Sequence, residues 1–160
     1  MGKLPTKFFA RDPVEVARDL MGRTLVREEN TTREGSITEV RAYLGIGPRT
    51  GNKEGMETTQ HGKIYIMPFM RHHSLNITTK SDSPSCVEIR SLHPIGNIEG
   101  ETNGPGKLTK TLNIGMDLDG LPITNDELYI IGEPADRTNI ELFDPQKKSE
   151  NCIACYRMRR

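Results

Sequence analysis

Apolar positions along the chain recur at two spacings. Val14, Val16, Ala17, Leu20 and Met21 fall on one stripe of a 3.6-residue period, the mark of an amphipathic helix. Asp12-Pro13-Val14-Glu15 opens that stretch with an N-cap acid, a proline at the first helical position and an acid in the first turn. Gly22 follows as a stop. The spacing predicts a helix between Asp12 and Gly22. Beyond it the pattern reads as strands: Thr24 to Arg27 and Ser36 to Leu44, joined by the polar turn Glu29 to Gly35, then Lys63 to Met67, Leu75 to Thr79, Val87 to Leu92, Leu128 to Ile131 and Asn139 to Leu142. Pro68 to Ser74 reads as a loop, and the glycine-rich stretch Ile46 to Gly62 as a long one, of a kind that is usually functional. Gly104-Pro105-Gly106-Lys107 opens a short helix through Asn113, with Leu108 and Leu112 on one face. Strands dominate, and most connections are too short for crossovers. The expected class is α+β, a single domain over residues 1–160 with a mainly antiparallel sheet and a few short helices.

Composition narrows the class. The chain has 160 residues, of which 34% are hydrophobic, which suits one polar, loop-rich domain with a modest core. No apolar run approaches the roughly 18–20 residues of a membrane span, and Met1 to Lys7 has no signal-peptide core, so an intracellular chain is expected. Three cysteines are too few for a disulfide framework. Its 22 basic and 22 acidic residues cancel, which argues against a generic polyanion binder. The charge is nevertheless segregated. Arg41 to His73 is basic, Asp117 to Asp144 acidic, and Lys147 to Arg160 basic again.

Three patterns carry candidate chemistry. In Ile37 to Leu44, strand alternation puts Glu39, Arg41 and Tyr43 on one face and Val40, Ala42 and Leu44 on the other. The polar three either build a pocket or form an ion pair beside an exposed tyrosine. Gly104 to Lys107 offers free backbone N–H groups and a lysine at a helix start, suited to a phosphate oxygen, or is simply a helix that begins with Gly-Pro. Cys152-Ile153-Ala154-Cys155 is a lone C-x-x-C. Zinc needs four ligands and a thioredoxin-like site a βαβ context, so neither a metal nor a redox role is expected of it.

Read in order, the segments resemble the alkyladenine (3-methyladenine) DNA glycosylase family. Phe8-Phe9 and Val16 to Val26 resemble "FF…VARDLLGK-LV", Ile37 to Gly45 resembles "IVETEAYLG", and Gly62 to Ile66 with Leu75 to Ile77 resembles the two ends of "GxxYVYLIYGMHYCLN". Val87 to Pro94 resembles "VLIRALEP", and Gly104 to Ile114 resembles "GPGKLxxALGI".

The resemblance implies one compact domain around a curved antiparallel sheet. It implies a DNA repair enzyme acting as a monomer on double-stranded DNA that contains alkylated or deaminated purines. Such an enzyme inserts a side chain from the minor groove, flips the damaged base into a pocket and hydrolyses its N-glycosidic bond, with no metal and no cofactor. Tyr43, Asn52, Met67, Asn76 and Arg90 fall at the positions of the base pocket. Phe69 or Met70 falls at the inserted side chain, and Arg71, Lys107 and Lys110 lie where DNA would run. The catalytic pair of the motif falls at Glu39 and Arg41, and here the chain departs from the family, because the second glutamate of "ETEAY" is Arg41. A guanidinium cannot act as a base and repels a developing sugar cation. Glu39 lies about 6.6 Å away along the strand and is expected to be neutralised by Arg41. The alternative to an active glycosylase is therefore a homologue that binds DNA or lesions without excision.

Overall fold

The computed structural model describes residues 2–45 and 61–159. Helix α1 (Pro13–Leu20) begins where the Asp12 side chain accepts a hydrogen bond from the Val14 N–H at 2.8 Å, with Pro13 at the first helical position. It buries Val16, Ala17 and Leu20. The chain leaves it through Gly22 at φ +84°, where an added Cβ would stand 2.5–2.8 Å from Ala135, so both the backbone angle and the close approach require glycine.

Among the described residues, eight strands form one antiparallel sheet: β1 (Thr24–Glu28), β2 (Thr32–Leu44), β3 (Ile64–Phe69), β4 (His72–Thr78), β5 (Ser85–Gly96), β6 (Leu128–Ile131), β7 (Ile140–Leu142) and β8 (Cys152–Met158). The order is β3-β4-β5-β2-β1-β6, and the sheet branches at β2. One edge of β2 pairs with β5 along nearly its whole length, and the other pairs with β1 over its first part and β8 over its second. The expected α+β domain with a curved, mainly antiparallel sheet is what the chain forms. Among the described residues, no helix is long and apolar enough to cross a membrane.

Three local expectations need correction. Thr32 to Gly35 is strand rather than turn: the backbone there pairs with β1 on one side and, at Glu34 and Gly35, with β5 on the other. Ladder hydrogen bonds hold it with no apolar side chain required. Pro68 to Ser74 is a hairpin rather than a loop. Phe69 pairs with His72, and only Met70, at φ +55°, and Arg71 reverse the chain. Pro68 is tolerated because β3 is an edge strand. Strand β8 was not expected at all, since its charged end and paired cysteines lack a two-residue hydrophobic alternation.

The main core lies between α1, the second helix α2 (Pro105–Thr111) and one face of the sheet, with Phe9, Leu20, Leu25, Ile37, Val40, Ile66, Leu75, Ile89, Leu108 and Leu112 fully buried. Between Ile37 and Val40 the β2–β5 register shifts. This bulge resets the strand alternation. Ile37, Val40 and Ala42 all face the core, while Glu39, Arg41 and Tyr43 share the other face, as the sequence pattern requires. On that second face Tyr43, Tyr65, Cys86, Cys152 and Cys155 form a smaller buried cluster, with Met67 and Phe143 against it.

Candidate functional site

Residues directly paired in an antiparallel sheet project to the same face. One such row crosses five strands: Cys155 on β8, Arg41 on β2, Glu88 on β5, Asn76 on β4 and Tyr65 on β3. Glu88 therefore stands directly opposite Arg41. It is fully buried and accepts hydrogen bonds from the Tyr43 hydroxyl at 3.0 Å and from Arg90 Nη1 at 2.9 Å. Arg90 also donates from Nε to Glu39 at 3.2 Å, so one guanidinium bridges two carboxylates. Burial works against the Arg90 charge, but Glu88 and then Glu39 outweigh it and raise its pKa further.

Glu39 is thus neutralised by Arg90 and not, as expected, by Arg41. Val40 pairs with Ile89 and Glu39 with Ser91, so the bulge leaves Arg90 as an extra residue of β5 beside Glu39. Arg41 turns the other way. It is 7% exposed, its Nη1 donates to the Lys147 carbonyl at 3.1 Å, and its buried Nε meets no acceptor among the described residues. Tyr43 is not an exposed tyrosine beside an ion pair but a fully buried one that holds Glu88.

A pocket of about 380 Å³ opens over Glu88 and Arg90, between the β3–β4 hairpin and the start of α2, and is lined further by Phe69, His72, His73, Ser74 and Gly104 to Lys107. That volume lies in the range of small-molecule sites, about 300–1,000 Å³. Gly106 fits only because it lacks a side chain: a Cβ would meet the His72 side chain at 2.7–2.9 Å. A Gly106→Ala variant is expected to force His72 into the pocket and to cost about 1–3 kcal/mol of stability, measured by urea unfolding.

Of the residues singled out by sequence, Arg90, Phe69 and Lys107 line this pocket, and Glu39 and Tyr43 touch its wall through Arg90 and Glu88. Asn76 lies beside it beneath Ser74. Its amide donates to the Tyr65 carbonyl and Ser74 Oγ, both at 3.1 Å, and its buried Oδ1 has no donor among the described residues. Met67 packs against the second cluster. Met70 is 88% exposed at the hairpin tip, next in the chain to Phe69, while Lys110 lies with Arg71, His72 and His73 along an adjoining surface cleft. Lys107 pairs with Glu101 at 2.9 Å. Asn52 lies outside the described residues. Sequence reasoning missed Glu88 and Ser74. The available signal was the alternation Val87-Glu88-Ile89-Arg90, which puts a carboxylate and a guanidinium together on the face away from the core.

The site thus has a buried carboxylate held by Arg and Tyr, an apolar hairpin tip and basic residues around the mouth. The chain is similar to known proteins over most of its length. The family described as "Methylpurine-DNA glycosylase (MPG)" matches residues 7–144. A Clostridium novyi protein is 34% identical over 82% of this chain and 80% of its own length, and a Legionella pneumophila (strain Corby) protein is 33% identical over 88% and 84%. A Methanoculleus marisnigri protein is 30% identical over 97% of this chain and 87% of its own. All three bear the name "Putative 3-methyladenine DNA glycosylase". With the match running through both walls of the pocket, from β2 to α2, the chain belongs to the methylpurine-DNA glycosylase family.

Proposed function

We propose that this protein is a monofunctional purine DNA glycosylase in which Glu88 supplies the catalytic carboxylate. The observation that carries the reading is Glu88 itself, fully buried, lining the pocket and set directly across from Arg41. Family resemblance puts the acid at position 41. Paired positions in neighbouring antiparallel strands lie about 4.5–5.5 Å apart, so the carboxylate has moved one strand sideways and remains at the same level of the same face.

Duplex DNA lies across the hairpin tip. Met70 or Phe69 fills the gap in the stack, as apolar wedges do, and the damaged purine turns out into the pocket. Glu88 accepts the proton of the attacking water and stabilises the positive charge that develops on the sugar as the N-glycosidic bond breaks. Tyr43 and Arg90 fix its orientation. Because Arg90 is shared with Glu39, the group retains negative charge where the cation forms. Arg41 directs its Nη1 to Lys147. Lys107, Lys110 and Arg71 contact phosphates, a contribution that falls steeply with salt.

Arg41 also motivates the second reading, lesion binding without excision. Single-turnover assays on duplexes carrying 3-methyladenine, hypoxanthine or ethenoadenine separate the two. Abasic product above a buffer control supports the glycosylase. Salt-dependent lesion binding with no product supports the binder. Neither product nor binding rejects both.

A further inference from the structure

The C-x-x-C on β8 has a geometry its sequence did not suggest. In a regular strand, residues three apart face opposite sides of the sheet. Here Ala42 pairs with Ala154 while Tyr43 pairs with Cys152, leaving Ile153 as an extra residue. This bulge brings both cysteines to one face, with their sulfurs 3.4 Å apart. Both are free thiols, 5% and 1% exposed. Arg41, whose buried Nε meets no acceptor among the described residues, is the cross-strand partner of Cys155.

We infer that Cys152 and Cys155 form a redox-active dithiol, with Cys152 the attacking thiolate, Cys155 the resolving thiol and Arg41 the fixed counter-charge. Several groups bear on Cys152. Cys155 on its own strand donates a hydrogen bond to it and is the largest influence lowering its pKa. Burial opposes this, and the positive charges of Arg41 on β2 and Lys148 in the preceding turn add to it, bringing the thiol to about 7. The Cys155 thiol is pushed upward, first by that same hydrogen bond and then by burial, so it keeps its proton. Cys86, Tyr43 and Tyr65 complete the cluster. Glu88 lies beyond Arg41 in the cross-strand row, and Asp144 pairs with Lys148 at 2.8 Å.

The thiols are covered, so the fitting oxidant is small, a hydroperoxide. The Cys152 thiolate attacks one peroxide oxygen. An S–O bond forms, the O–O bond breaks, and hydroxide leaves to be protonated to water. The Cys155 thiol then attacks the resulting sulfenic acid. The S–S bond forms, the S–O bond breaks, and the departing hydroxyl takes the Cys155 proton as a second water. Two thiols are oxidised by two electrons and one peroxide is reduced. This site does not depend on the glycosylase reading, since it involves no DNA chemistry.

The test treats the full reduced chain with hydrogen peroxide, blocks remaining thiols with N-ethylmaleimide, and maps peptides by mass. The expected product carries a Cys152–Cys155 disulfide and an alkylated Cys86, and forms at a rate rising about tenfold between pH 6 and pH 8, then levelling. Arg41→Gln is expected to move that rise to higher pH. Cys155→Ser is expected to leave a sulfenic acid at Cys152 that dimedone traps. Three alkylated cysteines in the wild-type chain after peroxide would overturn the proposal, as would oxidation confined to Cys86. The wild-type peptide map decides even if the variants fail to fold.

Discussion

Glu88→Gln is expected to lower single-turnover excision about a hundred- to ten-thousand-fold, the usual contribution of a positioned general base. The substitution keeps the size of the side chain and lets an amide oxygen still accept from Tyr43 and Arg90, so lesion binding and the unfolding midpoint should change little. Glu39→Gln removes only the second carboxylate on Arg90, which lies 28% exposed at the wall, and is expected to have the smaller effect on rate. Equal losses from both variants would mean that Arg90, rather than either acid, governs the site. An unchanged rate in Glu88→Gln would exclude Glu88 as the base.

The cross-strand position of Glu88 also predicts how Arg41 will behave. Arg41→Glu alone puts two carboxylates directly opposite one another, an unfavourable arrangement in a sheet. It is not expected to raise activity. The informative change is the exchange. Glu88 stands where the family motif has leucine, so Arg41→Glu combined with Glu88→Leu restores the motif in both strands at once. Against a Glu88→Leu background with little activity, adding Arg41→Glu is expected to recover part of it. The two strands would then act as one unit, with interaction energies far from additive.

How much of this was legible follows from what each feature depends on. The helix α1 depended on a local cap and a local stripe, and both are visible in eleven residues. The face shared by Glu39, Arg41 and Tyr43 depended on simple alternation within one strand. The salt-bridge partner of Glu39 depended on the pairing of β2 with β5, between segments about fifty residues apart, which no local pattern encodes. Strand β8 is held by pairing with β2 and β7 rather than by its own alternation. The closeness of Cys152 and Cys155 was not legible for the same reason: within a strand, a spacing of three puts two thiols on one face only where one residue bulges. The family motif located Arg90 and drew attention to Arg41. It gave no reason to examine Glu88, because the motif has an apolar residue there.

Arg27→Met is expected to cost about 3–5 kcal/mol, the range for removing one partner of a buried charged network. Arg27 on β1 is 2% exposed. Its Nε donates to the Leu112 carbonyl at 3.0 Å, its Nη2 to Asn113 at 2.9 Å and its Nη1 to Glu127 at 3.2 Å, and Glu29 balances its charge at 3.3 Å. Arg33 on β2 adds a bond to the Thr111 carbonyl at 2.9 Å. Together they satisfy the carbonyls that the C-terminus of α2 leaves without helical partners, at the end where a positive charge is favoured. Methionine fills the space of the stem but supplies no donor, so the Leu112 and Asn113 carbonyls lose the Arg27 donor, while that of Glu127 keeps the Glu28 N–H at 2.9 Å. For a chain of this length the loss corresponds to a fall in Tm of roughly 6–20 °C by calorimetry. Arg27→Lys keeps the charge with fewer donors and should fall between. Because the other end of α2 forms a wall of the pocket, Arg27→Met is also expected to weaken lesion binding at temperatures where the chain is still folded. A variant that lost stability but bound as tightly as wild type would show that the pocket is positioned by its own contacts with the β3–β4 hairpin and not by this anchor.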